Sequence, residues 1–526
     1  MNRRRSPRHN ARHVARPVLL AAALAVTSTV AACSTGGSNT ATSTTLSTGA
    51  PSTSTSPTTT ATTAAGSTAP EPRVDVPIPG PAPSPDERDV PDRALPGLGD
   101  PRIDVHHYDV TLRADPGAAT ISGRVVLTLS ARTTEPLRSF TLDLRGPKVR
   151  KVTVDGTPAT HETEGDQVSI TPEEPLEPDD PVQVAVDYGG RPEPGSLLGL
   201  GIRTGLRHDE DGGWFAMSQP EGTRTWVPVN DHPSDKATWR ITLDTPVEVV
   251  GVSNGRLVSN DVASSPGLGG SEKGERRHWV WEVDRPMATY LAVVAIGDYD
   301  LVESTGPAGA KVLEAFTHEL SKSERARFDD LDEIVTRFSR EFGPYPDDDL
   351  GVLVVPSSLG VALETQTRPL FGTDSFSTDL RSVLAHELAH QWWGDAVTPR
   401  TWADLWLSEG FATYSQWLDA EQTGGTSVRD QAESTGGTDH AVTSVEAVAG
   451  VGRALYDGGA TALQALRDEV GAKEFTKVLR AWLRRYDGST ATTADFVALA
   501  SRTTGRDLSR WARTWLYEPQ PAYHGK

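Results

Sequence analysis

From about residue 100 to 305, apolar residues recur at every second position. Val110 and Leu112, Phe140 with Leu142 and Leu144, Val168 and Ile170, Val182 with Val184 and Val186, and Ile241 and Leu243 alternate with polar neighbours between turn clusters such as Asp155-Gly156. Successive side chains of a strand point to opposite faces, so this period predicts half-buried strands and a β-sheet domain over residues 99–307. Near residue 308 the period changes. Phe328, Leu331, Val335, Phe338 and Phe342 follow one helix face, and Gly343-Pro344 ends it. An apolar run from Leu350 to Val355 predicts a buried strand, and after Thr378 the pattern is helical almost to the end. There Phe475, Val478, Leu479, Trp482 and Leu483 make one amphipathic face, and Thr492 with Asp495 predicts a capping box ahead of Phe496. These patterns predict an α+β multidomain chain whose second domain, residues 308–526, is mainly helical.

The first hundred residues have a different character. Arg3, Arg4, Arg5, Arg8, Arg12 and Arg16 precede an apolar run from Val18 to about Ala32 that is short for a bilayer span. Residues 1–33 therefore predict a signal peptide, and its end, Val30-Ala31-Ala32-Cys33, resembles the lipobox of bacterial lipoproteins. Cys33 is the only cysteine, so no disulfide forms within one chain and the resemblance makes it a lipidation site. An ordinary secretory cleavage nearby is the plainer alternative. Residues 34–98 predict a disordered linker, since Ser34 to Pro70 holds 22 Ser or Thr in 37 residues with no charge or aromatic. Such a coil averages roughly 35 Å end to end, enough to hold a domain clear of a membrane. Without residues 1–33 the charge is 45 basic against 71 acidic, or −26, which disfavours nucleic acid and anionic lipid as partners.

Against that solvated background the stretch VLAHELAHQWWGD, residues 383–395, stands out. Residues four apart on a helix share a face, so His386 and His390 project together, and Leu384, Leu388, Trp392 and Trp393 make the segment too apolar for a solvated helix. Burying that much polar chemistry needs compensation, and a metal supplies it. Two imidazoles suit zinc, with Glu387 placed to reach a water beside the metal without ligating it. A surface helix with two solvated histidines is the alternative. A third ligand is still needed. After eighteen intervening residues comes Glu409, in DLWLSEGFATYSQWL, a second helical segment.

The whole stretch HELAHQWWGDAVTPRTWADLWLSEGFATY closely resembles the zinc signature of the aminopeptidase N and leukotriene hydrolase family. That resemblance implies one Zn2+ per chain held by His386, His390 and Glu409, with Glu387 as general base. It also implies a saddle-like β domain followed by a thermolysin-like catalytic domain, with no room for the large C-terminal helical domain of longer relatives. Three further segments extend it. ALYDGGATALQAL makes Tyr456 the counterpart of the tyrosine that stabilises the tetrahedral intermediate. SQPEGTRTWVPVNDHPSDKAT and GVALETQT place Gln219 and Glu364 where the family binds the free amine of a peptide. The sequence departs from the family at Val361 and Thr365, which replace a Gly and an Asn, and at Gly458, which replaces a Lys. The family resemblance thus implies a zinc aminopeptidase acting on peptides with a free N-terminus, and the lipobox resemblance tethers it through Cys33 to the extracellular face of a bacterial cell membrane. Two alternatives stay open: a zinc hydrolase of the same fold with endopeptidase or other specificity, and a surface binding protein with a dead site.

Overall fold

The alternating apolar positions come together as rows across a sheet. In strand Ile103–Arg113, Val110 lies beside Val125 of the antiparallel strand Ile121–Ala131 and beside Ile241 of the parallel strand Ala237–Thr245. The same row continues through Val186 and Val152 on one side and Trp281 on the other, all of them buried. Register is fixed by this row, because a slip of one residue would turn each strand's apolar set to the opposite face. The sheet has eight strands, and its pair Ile103–Arg113 and Ala237–Thr245 is the parallel one. A three-stranded sheet built on Phe140–Asp143 and a five-stranded sheet containing Trp214–Met217 complete this region.

The chain is described by a computed structural model over residues 92–196, 202–265, 274–377, 379–450 and 452–525. The expected signal peptide of residues 1–33, with Cys33, and the expected linker as far as residue 91 lie outside the described residues. The expected linker runs to residue 98, yet residues 92–98 are part of the fold. Asp92 is buried, and its carboxylate accepts from the backbone N–H groups of Ala94, Leu95 and Trp402. Its Pro-rich composition hid this docking, which depends on a partner 310 residues away.

The expected seam at 307/308 falls in the turn of a hairpin. Strand Tyr299–Thr305 pairs antiparallel with Lys311–Thr317, and the turn from Gly306 to Ala310 is the connection. The run from Leu350 to Val355 divides into Asp349–Leu350 and Leu353–Val355, both parallel to Lys311–Thr317, and Leu370–Gly372 adds a further parallel strand. Helices then dominate. Leu331–Phe342, Leu380–His390, Trp406–Gln422, Gly459–Val470, Ala472–Tyr486 and Thr493–Thr504 pack around a shared apolar core. Thr492 and Asp495 form the expected capping box.

Two of these helices meet at paired glycines. A Cβ on Gly410 would lie 2.7 Å from the Cα of Gly459, and the reverse holds equally, so only residues without side chains allow this approach. The contact brings the turn before Gly459 against the helix that carries Glu409.

Candidate metal centre

Helix Leu380–His390 presents His386 and His390 on one face, with ring centroids 4.7 Å apart and planes at 77°. The following helix, Trp406–Gln422, brings Glu409 between them. Its Oε2 lies 3.4 Å from His386 Nε2 and 3.5 Å from His390 Nε2. One donor atom from each of the three lies within 4.8 Å of the others, a grouping that no other residues reproduce among the described ones.

The tautomers follow from the neighbours. His390 Nδ1 sits 3.0 Å from the carbonyl oxygen of Trp393, which can only accept, so Nδ1 carries a proton and Nε2 is the atom turned toward Glu409. Ser408 Oγ, 2.9 Å from the same Nδ1, donates in turn to that carbonyl. His386 Nδ1 faces Gln416 Oε1 at 3.3 Å, and the Gln416 amide is oriented by donating to Ser382 Oγ at 2.7 Å. Two imidazoles with convergent Nε2 atoms and outer-shell acceptors, plus one carboxylate, fit a three-ligand zinc site with a position left for water or substrate.

Burial alone would raise the Glu409 carboxyl, but His390 and His386 outweigh it and lower it to about 2. For His390 burial works downward, and the carboxylates of Glu409, Glu364 and Glu387 overcome it. Glu387, between the two histidines, is buried, and desolvation pushes its carboxyl well up. Tyr456 is half-buried on a single π-helical turn, Ala454–Gly458, and its ring lies nearly parallel to that of His386 at 5.9 Å. Burial and the nearby carboxylates of Glu409, Glu364 and Glu387 hold its phenol protonated.

Gln219 and Glu364, 145 residues apart, meet directly, Gln219 Nε2 donating to Glu364 Oε1 at 2.7 Å. Both are buried, and desolvation raises the Glu364 carboxyl to about 7. The divergent segment around Glu364 is tightly held. Thr365 Oγ1 donates to the Arg368 carbonyl at 2.5 Å, Thr367 N–H to Gln391 Oε1 at 2.7 Å, and Asn254 Nδ2 to the Gln366 carbonyl at 2.7 Å. Thr365, where the family has Asn, therefore still anchors the loop that carries Glu364.

Several neighbours escaped the sequence reading. Gln416 and Ser408 orient the imidazoles, Gln391 ties the Glu364 loop to the His390 helix end, and Lys236 Nζ donates to the Asp395 carbonyl at 2.7 Å. Gln416 lies seven residues after Glu409, two helical turns along the same face, which is the one local signal that could have singled it out.

Residues 105–291 match the Peptidase M1 N-terminal domain and residues 363–515 the Peptidase family M1 domain. A mutant M1 zinc metallopeptidase from Deinococcus radiodurans shares 30% sequence identity, with a TM-score of 0.72 over 81% of this chain and 96% of that one. This chain belongs to peptidase family M1. A Deinococcus radiodurans M1 structure bound to a Tyr-Ser-Ala substrate is similar at a TM-score of 0.74 and 29% identity, covering 83% of this chain and 98% of that one. Among curated M1 relatives, rice aminopeptidase M1-D is 28% identical over 57% of this chain and 37% of its own length. Aminopeptidase M1 of Arabidopsis thaliana is 25% identical over 79% of this chain and 51% of its own length. This M1 chain thus spans about a third to a half of the length of those relatives, whereas the Deinococcus enzyme is matched almost throughout. Its sheet-rich first region and helical second region are the two M1 domains.

Proposed function

We propose that this chain is a zinc-dependent aminopeptidase that removes N-terminal residues from peptides. The observation that carries the reading is the adjacency of two buried devices: the His386, His390 and Glu409 trio, and the Gln219–Glu364 pair beside it. His386 Nε2, His390 Nε2 and a Glu409 carboxylate oxygen would hold the zinc ion. When bound, zinc supplies Lewis acidity, polarising a carbonyl and making water acidic enough to lose a proton near neutral pH.

The remaining work falls to the protein. Glu387 takes a proton from the attacking water and later delivers it to the leaving amine. Burial raises its affinity for that proton, which favours taking it from the water, and a cation nearby lowers the affinity again, which favours passing it to the amine. The Tyr456 hydroxyl, kept protonated by its surroundings, donates to the oxyanion that develops on the scissile carbonyl. Glu364 and Gln219 receive the α-ammonium. A buried carboxylate without a cation is costly, so the pair favours a charged amine over a blocked one.

The direct test compares matched free and N-acetylated peptides with and without a chelator. Hydrolysis of the free peptide alone, abolished by chelation and restored by zinc, is expected. Equal cleavage of both would favour an endopeptidase of the same fold, and no hydrolysis by zinc-loaded protein would favour a binding protein. Glu364→Ala should raise KM for free-amine substrates by about 10- to 100-fold, the loss of a hydrogen bond to a charged group, with zinc content unchanged. An unaltered KM would reject the amine-binding role.

The N-terminal sequence supports a tether. Six arginines, an apolar run and Val30-Ala31-Ala32-Cys33 suit lipidation of Cys33 and attachment to the outer face of a bacterial cell membrane. No helix among the described residues is long and apolar enough to cross a membrane. Cys33→Ser is expected to shift the protein from the membrane pellet to the soluble fraction of an expressing bacterium. An unchanged partition would remove the anchor.

A further inference from the structure

Tyr456 rides on a π turn, and such turns are rare enough inside helices that their surroundings must favour them. The closing bond runs from the Gly458 N–H to the Arg453 carbonyl, five residues back, at 2.8 Å. Asp457 pairs with Arg453 across the turn at 3.5 Å, and a further contact arrives from the far end of the chain. Gln520 is buried, and its Nε2 donates to the Gly458 carbonyl at 2.9 Å and to the Trp515 carbonyl at 2.6 Å. Its backbone is clipped to a third segment, with its N–H donating to Thr438 Oγ1 at 3.0 Å and its carbonyl accepting from Thr438 N–H at 3.1 Å. The Gln520 side chain thus joins the π turn to the segment Arg513–Tyr517, while its backbone fastens both to the loop at Thr438.

The chemistry of the contact admits only a donor. Both neighbours of Nε2 are carbonyl oxygens, so an acceptor in its place would face two like partial charges. The fit at Gly458 is close as well. A Cβ there would stand 3.1 Å from Gln520 Oε1, and the backbone at Gly458 is ordinary right-handed helix, so space and not conformation restricts the position.

We propose that Gln520 is a positioning residue for Tyr456: its carboxamide fixes the π turn and thereby aims the phenol at the site formed with His386 and Glu409. The inference rests on Tyr456 serving as the oxyanion donor, and the test separates the two. Steady-state kinetics on a leucine 4-nitroanilide substrate are measured for the full zinc-loaded chain, for Gln520→Glu, for Tyr456→Phe and for the double variant, with zinc content alongside.

Tyr456→Phe is expected to lower kcat about 100-fold, as loss of an oxyanion donor does. Gln520→Glu is expected to lower kcat about 10-fold through misplacement of the phenol, with KM and zinc content held. In the Tyr456→Phe background the Gln520 substitution should cost nothing further, which a merely structural role would not produce. Wild-type kcat for Gln520→Glu, or the same fractional loss in both backgrounds, would overturn the inference while leaving the function intact. Wild-type kcat for Tyr456→Phe would instead remove the role of the tyrosine, and this inference with it. Should Gln520→Glu not fold, Gly458→Ala, which crowds Gln520 Oε1, is expected to give the same Tyr456-dependent loss, and wild-type kcat there would count against the proposal.

Discussion

Glu387→Gln is expected to keep its zinc and to lose between about a hundredfold and ten-thousandfold of kcat, the range a positioned acid–base group contributes. The substitution is nearly isosteric, so packing around the buried position persists. Glu387 is not one of the three residues whose donor atoms converge, so metal retention should follow wild type. Desolvation already penalises the charged form of Glu387, so a neutral amide there should not destabilise the ion-free protein. What the amide lacks is a site that can take and return a proton. Parallel elemental analysis and kinetics check this, and full activity in a zinc-loaded Glu387→Gln protein would remove the proposed base.

The second large effect is expected at Glu409. Glu409→Ala should lose zinc on dialysis and show only background hydrolysis, because two imidazoles from one helix would remain with no carboxylate opposite them. Its Oε2 lies 3.4 and 3.5 Å from the two Nε2 atoms, and the His386, His390 and Glu409 trio is the one such convergence of His, Cys, Asp or Glu among the described residues. Binding to the folded state stabilises it by about 4 kcal/mol at a ligand concentration a thousand times Kd. Added zinc should therefore raise the melting temperature of the wild-type protein and leave that of Glu409→Ala nearly unmoved at the same concentration. Equal shifts in the two proteins would mean that the ion binds elsewhere.

The parts of this site that the sequence announces are those with a local period. His386 and His390 are four apart within a helix, and their partners Leu384, Leu388 and Trp392 signal burial in the same stretch, so one helical turn carries the argument. Rows such as Ile241, Val110, Val125 and Val186 are likewise visible as alternation before their register is known. Glu409 needed family likeness, because a single carboxylate on a later helix has no period to distinguish it. Gln219 and Glu364 were named by likeness too, but their bond to each other depends on two loops meeting across the junction between the sheets and the helices. Asp92 and Gln520 were invisible for the same physical reason. Each is a buried polar residue whose partners, Trp402 in one case and Gly458 and Trp515 in the other, are supplied by tertiary approach, which short-range pattern does not record. The hairpin at Gly306-Pro307 shows the converse, where the change of apolar period near residue 308 suggested a domain seam and the structure joins two paired strands across it.

The most direct measurement of the central claim is the metal stoichiometry of the purified, zinc-supplemented and dialysed protein. The account expects one zinc ion per chain, lost when His386, His390 and Glu409 are all replaced by alanine. A well-folded wild-type protein that retained far less than one equivalent, or a triple variant that retained a full one, would contradict it.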